Sequence, residues 1–178
     1  MIYIDNSATT RIKEAVLTEM FPYLSREYGN PSSLYSIGRK SKRAIEEARK
    51  RVASLINCKP EEIYFTSCGS ESDNTALKGI AYANQNKGKH IITSKIEHPA
   101  ILHSCQNLES KGFEVTYLDV DKNGFVNLET LENSIRQDTI LISVMFANNE
   151  IGTIEPIQKI AKIAHKNGII FHTDAVQA

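Results

Sequence analysis

Apolar positions along this chain follow two rhythms. From residue 11 to 24, Ile12, Val16, Leu17, Met20 and Phe21 recur at helical spacing, which predicts a helix that stops near Pro22. A loop follows in REYGNPSS, where Gly29, Asn30 and Pro31 cluster. A long charged helix is then expected over residues 34 to 56, with Ile37, Ala44, Ile45, Ala48, Val52 and Leu55 on its apolar side, ending before Pro60.

Beyond Pro60 the pattern alternates. Strand-like runs are expected at 62–66 (EIYFT), 90–94 (HIITS), 113–118 (FEVTYL), 139–146 (TILISVMF) and 168–172 (GIIFH). Helical spacing fills the intervals 71–84, 100–110, 128–135 and 157–165, with a turn at DKNG. Strands joined by helices of this length imply a mostly parallel sheet covered on both faces, because parallel neighbours need crossover connections. The expected fold class is therefore α/β, a three-layer αβα sandwich whose ligands bind at the carboxyl ends of the strands. No repeat or low-complexity linker is present, so no subdivision is expected: residues 1–12 form an N-terminal segment and 13–178 the αβα core.

Charge narrows the partners. Lys+Arg and Asp+Glu both number 21, leaving no basic surplus for nucleic acid or an anionic membrane. The N-terminus lacks a basic stretch followed by an apolar core, and no apolar run is long enough to span a bilayer, so a cytoplasmic location is expected. The three cysteines form no CxxC pair, which suits free thiols and argues against a zinc site.

Four polar segments lie where strands are expected to end. After EIYFT comes SCGSESDN, in which Gly69 lets the backbone approach an anion and Ser70 offers a hydroxyl at the positive end of a helix. Ser70-x-x-Asp73 also reads as an ordinary capping box. After HIITS, His98 precedes Pro99, which suits the opening of a helix; an imidazole there can lie against a ring and move a proton, or simply decorate the surface. After TILISVMF, Asn149 in ANNEIGT can meet a ring substituent, although such turns form without ligands. After GIIFH, Asp174 and Gln177 stand three apart: the carboxylate can pair with a protonated pyridine nitrogen, and the amide can donate to a ring oxygen. A helix N-cap is the competing role for Asp174.

Taken in order, YIDNSATT (3–10), YGNPSS (28–33) with GR (38–39), FTSCGSESDN (65–74), EHPA (97–100), NNEIG (148–152) and FHTDAVQA (171–178) resemble the N-terminal portion of cysteine desulfurases. These belong to the class V aminotransferase group of fold-type I pyridoxal phosphate enzymes. The resemblance implies an incomplete large, cofactor-binding domain of an enzyme that turns L-cysteine into L-alanine and enzyme-bound sulfur for iron-sulfur cluster or thio-cofactor assembly. It implies phosphate binding by Ser70 and the Gly69 backbone, stacking by His98, ring-oxygen contacts from Asn149 and Gln177, and pairing of Asp174 with the pyridine nitrogen. It also implies a homodimer with a sulfur-acceptor or scaffold partner. A selenocysteine lyase or another class V enzyme shares these motifs, and a non-catalytic phosphate-ligand or partner module is the alternative from another class.

Cys68 stands where the family usually has glycine, Ser70 where it has threonine, and Tyr35 where a histidine is common. The family's cofactor-anchoring lysine and persulfide cysteine match no residue of this chain. Lys95, Cys58, Cys68 and Cys105 do not correspond to them. The expectation is a truncated chain that is inactive alone and holds pyridoxal phosphate non-covalently or not at all.

Overall fold

Four of the five expected runs become strands of one parallel sheet, in a computed structural model that describes residues 2–178. They are β1 (His90–Ser94), β2 (Glu114–Leu118), β3 (Thr139–Ser143) and β4 (Ile170–His172), in the order β2-β1-β3-β4. Ile91 pairs with Val115 on one side and Leu141 on the other, and Leu141 pairs with Ile170. The helices are α1 (Glu14–Ser25), α2 (Ser36–Leu55), α3 (Gly69–Asn84), α4 (Pro99–Glu109), α5 (Leu128–Asn133) and α6 (Ile157–Lys166).

Alternation along the strands builds two cores. Ile91 and Leu141 pack with Leu77, Ala81, Ile101 and Leu108 of α3 and α4. Their neighbours Ile92 and Ile142 point the other way, to Leu131, Ile160 and Ala164 of α5 and α6. The αβα layering expected from the sequence is thus present. Each fully buried Ile or Leu contributes about 1.5–3 kcal/mol of transfer free energy, so the sheet is a firm base for whatever its edge carries. His90 ties the strands together: Nδ1 bonds Thr139 Oγ1 and Nε2 bonds Thr116 Oγ1, both at 2.8 Å, with the ring fully buried.

Two compact units are distinguished, one reaching to Phe65 and the other Thr66–Ala178. The sheet, both cores and all the residues discussed below as a site belong to the second. In the first, α1 runs through Pro22 to Ser25 rather than stopping there. The two following amides, Arg26 and Glu27, both donate to the Pro22 carbonyl, so the helix continues for a turn despite the donor that proline lacks.

EIYFT is a correction. Residues 60–62 form a 3-10 turn and 63–66 form no strand. A strand exists only by pairing, and this segment pairs with no strand among the described residues: the Ile63 carbonyl is taken by Arg49, and Tyr64 is 83% exposed. The long run at 139–146 also ends early as a ladder, at Ser143. Its later amides still pair, Val144 with the His172 carbonyl at 3.2 Å and Phe146 with the Asp174 carbonyl at 2.8 Å, which holds the HTDAVQA segment against the end of β3.

Candidate cofactor site

Three strand ends and one helix start converge at the carboxyl edge of the sheet. The chain enters α3 through Thr66–Cys68, and the capping there differs from expectation. Cys68, not Ser70, is the N-cap residue, and Ser70 lies inside the first turn with its hydroxyl exposed. Glu71 does the capping work instead: its carboxylate accepts the Ser67 amide at 2.7 Å and the Ser67 hydroxyl at 2.6 Å, which holds it below its ordinary carboxylate range. The amides of Gly69, Ser70 and Glu71 find no backbone carbonyl among the described residues, as the geometry of a helix start requires. The Cys68 thiol is held below 9.0 by the Glu71 amide first and Ser67 next. A helix start of this kind can receive an anion.

Gly69 brings the start of α3 close to the HTDAVQA segment. A Cβ built there would lie 2.9 Å from Val176 Cγ2, so glycine lets the start of α3 and the HTDAVQA segment touch.

At the end of β1 the side chains turn inward and then outward. Glu97 is 4% exposed, and its Oε1 accepts the Ser94 hydroxyl at 2.6 Å and the Met145 amide at 3.0 Å. Its Oε2 is buried without a partner, and burial pushes the carboxyl up to about 7. The next residue, His98, is exposed. It caps α4 through Nδ1, which accepts the Ala100 amide at 3.1 Å, with Pro99 in the first turn as expected. That bond fixes the ring's orientation and, in the neutral ring, places the proton on Nε2.

β4 ends at His172, and Asp174 follows two residues later. His172 Nδ1 bonds Ser143 Oγ at 2.9 Å. Asp174 is 9% exposed, and its Oδ1 accepts the Val176 amide at 3.0 Å. Val176 and Gln177 form a turn just after it, and the carboxylate holds the amide of that turn.

His98 and Asp174 come together with a residue that was read only as part of a capping box. Acceptor or donor atoms of Asp73, His98 and Asp174 all lie within 4.8 Å of one another. Asp73, one turn into α3, is 4% exposed, and its carboxyl is pushed up to about 6 by burial first and by Asp174 second, with His98 acting in the opposite direction. The available signal was a lone acidic residue on the buried side of α3, four before Leu77.

Asn149 and Gln177 are not tied to these three by any hydrogen bond; Asn149 is half-buried and Gln177 exposed. It is the neighbouring Asn148 that organises the NNEIG turn. Its Nδ2 donates to the Ile96 carbonyl at 2.9 Å, and its Oδ1 accepts the Glu150 and Ile151 amides at 2.9 and 3.0 Å. Gly152, at a φ of 76°, lets the turn close with the Asn148 amide on the Thr153 carbonyl. Asn148 therefore fastens the loop after β3 to the loop that carries Glu97 and His98.

A buried carboxylate, an oriented imidazole and the first amides of a helix suit a ring with a cationic nitrogen at one end and an anionic group at the other. Pyridoxal phosphate fits that description. Asp174 would meet the ring nitrogen, His98 the ring face, and the Gly69–Ser70 turn the phosphate.

Comparison with known proteins gives the chain its relatives. The cysteine desulfurase IscS of Methanosarcina thermophila is 62% identical over 177 residues, covering 99% of this chain and 44% of that protein. That of Clostridium botulinum strain Kyoto is 60% identical, covering 99% and 45%. The chain thus spans a little under half the length of these relatives. Among solved structures, a NifS-like protein superposes with a TM-score of 0.96 at 43% identity, covering 99% of this chain and 49% of that one. SspA in complex with cysteine gives 0.94 at 41%, covering 99% and 51%. The family model described as aminotransferase class-V matches residues 2–178. With that match spanning every described residue and the buried Asp174 facing His98 at the strand ends, the chain belongs to the class-V aminotransferase family.

Proposed function

We propose that this chain is the cofactor-holding part of a pyridoxal phosphate-dependent cysteine desulfurase. The observation that carries the reading is the buried Asp174 carboxylate within 4.8 Å of the His98 ring. A simple phosphate binder gains nothing from a carboxylate beside its ligand, whereas a pyridinium N–H stabilises one that burial would otherwise penalise.

When bound, the cofactor supplies an electron sink for bond cleavage at the substrate's α-carbon. The residues of this chain would hold and tune it. The first-turn amides of α3 with the Ser70 hydroxyl bind the phosphate, and Asp174 keeps the ring nitrogen protonated. His98, its Nδ1 occupied by Ala100, presents its ring face and its Nε2–H to the bound molecule. Asn149 and Gln177 are assigned to the ring-oxygen side; neither side-chain amide makes a hydrogen bond among the described residues. L-cysteine is the substrate of this reading, supported by the names of the relatives and by the cysteine complex of SspA. A sulfur-accepting partner, a homodimeric assembly and a cytoplasmic setting complete it. Among the described residues no helix is long and apolar enough to cross a membrane.

Lys78 and Lys95, the lysines nearest the motifs, are engaged by Asn74 and Asp119. The 178-residue polypeptide by itself is therefore expected to bind pyridoxal phosphate without a covalent link and to release no sulfide above free cofactor. A single stoichiometric pyridoxyl-lysine after borohydride reduction would contradict this. Binding is tested by titration with pyridoxal phosphate. Ser70→Ala is expected to weaken it about tenfold, for one lost hydrogen bond to a charged group, and Ser70→Asp to abolish it by charge repulsion. Equal affinity for all three proteins would remove the loop from the site.

A further inference from the structure

Asp73 has no role in the ring contacts assigned above, yet it is among the most deeply placed acids of the chain. It begins the second turn of α3, 4% exposed, and its carboxylate accepts no hydrogen bond among the described residues. Its neighbour Asp174 differs in one respect: Oδ1 holds the Val176 amide at 3.0 Å. Two carboxylates this close cannot both ionise without penalty, and the proton settles on the member with fewer donors.

We propose that Asp73 is a positioning residue that carries the proton of the Asp73–Asp174 pair, leaving Asp174 as the ionised member that faces the cofactor ring. The proposal rests on the pyridoxal phosphate reading for its use, and on the geometry of the pair for its proton order.

The groups facing Asp73 come from the end of β4 and the start of α4. Asp174 follows β4, and its charge disfavours ionisation of Asp73. His98 opens α4, and its charge when protonated favours it. His172 at the end of β4 places Nε2 3.9 Å from Asp73 Oδ1. His172 is held neutral by burial, with Nδ1 on Ser143, so it does not neutralise Asp73. Glu97, next to His98, also interacts with Asp174, and it too is pushed towards the neutral form. Burial and the neighbouring Asp174 thus push Asp73 towards its neutral form, as burial does Glu97. The upward displacement of the Asp73 carboxyl agrees with that order.

A protonated aspartic acid has nearly the shape of asparagine. Asp73→Asn is therefore expected to preserve cofactor affinity to within about twofold, while Asp73→Ala is expected to lose about tenfold through the gap it opens beside Asp174. The decisive readout needs no cofactor. Carbon-detected carboxyl titration of the full chain by NMR is expected to show Asp73 taking up its proton at higher pH than Asp174. Asp174→Asn should move the Asp73 transition down towards the ordinary carboxylate range. The His172 ring resonances of the unmodified chain should report the Asp73 transition, so the result does not depend on a variant that folds. Protonation of Asp174 ahead of Asp73, or an Asp73 transition unchanged by Asp174→Asn, would overturn the proposal. Correct proton order without any binding of pyridoxal phosphate would instead overturn the functional reading and leave the pair standing.

Discussion

Replacing Glu97 with glutamine should make the protein more stable at high pH and leave it nearly unchanged at low pH. In the folded chain this carboxyl is 4% exposed and is held at about 7 against an ordinary 4.5, chiefly by burial. The folded state therefore keeps its proton over an interval in which the unfolded chain has lost it. Stability from this group is fully present below about 4.5 and is lost as pH rises through 7. The interval corresponds to about 3 kcal/mol, at 1.36 kcal/mol for each tenfold change in proton affinity. Glutamine keeps an oxygen for the Ser94 hydroxyl and the Met145 amide, and puts an amide where Oε2 already lies buried and unpartnered. At pH 5 the variant should thus lie within about 1 kcal/mol of the parent. At pH 8 it should be more stable by about 2–3 kcal/mol. Urea unfolding followed by circular dichroism at pH 5, 6, 7 and 8 reads this directly. Asp73, His90 and Glu155 are also shifted, but they occur in both proteins and cancel in the difference. A difference that stays constant with pH would refute the reasoning, because it would mean that Glu97 titrates alike in both states.

Cys68 should alkylate faster than Cys105, since the Glu71 amide and Ser67 stabilise its thiolate while burial raises Cys105 to about 12; saturating pyridoxal phosphate should slow it, because the phosphate competes for the same amides. Mass mapping after limiting iodoacetamide checks both, and labelling indifferent to the ligand would place the phosphate elsewhere. His90→Ala should cost about 3 kcal/mol by urea unfolding, through a cavity and the stranded hydroxyls of Thr116 and Thr139. Because burial holds the His90 ring below 6.5, the parent's share of stability from this residue should shrink as pH falls beneath that value. A loss under 1 kcal/mol would show that the two threonines find other partners.

Most of the sheet was legible because its strands alternate around residues that must be buried: Ile91 against Ile92, and Leu141 against Ile142, face opposite cores. EIYFT carries the same pattern and forms no strand. Pairing is a property of the neighbour, which local sequence does not contain. Pro22 misled in the opposite sense, since a proline near a helix end costs one bond and the remaining turn still closes on its carbonyl. Within the site, Asp174 and His98 were legible as polar residues directly after apolar strands. Asp73 was hidden by its place beside Ser70, where a serine followed three residues later by an acid imitates a cap. Glu97 and Asn148 were hidden because each lies next to the residue that drew notice, His98 and Asn149, and only the fold shows which of two adjacent polar groups turns inward.

The central claim is that Asp174 is built to hold a protonated pyridine nitrogen. The most direct test is the 15N chemical shift of ring-labelled pyridoxal phosphate bound to the chain, at a pH where the free cofactor's ring is deprotonated. The account predicts a protonated ring nitrogen in the parent and in Asp73→Asn, and a deprotonated one with Asp174→Ala. A ring nitrogen that stays deprotonated on the parent chain, or one indifferent to Asp174, would contradict it.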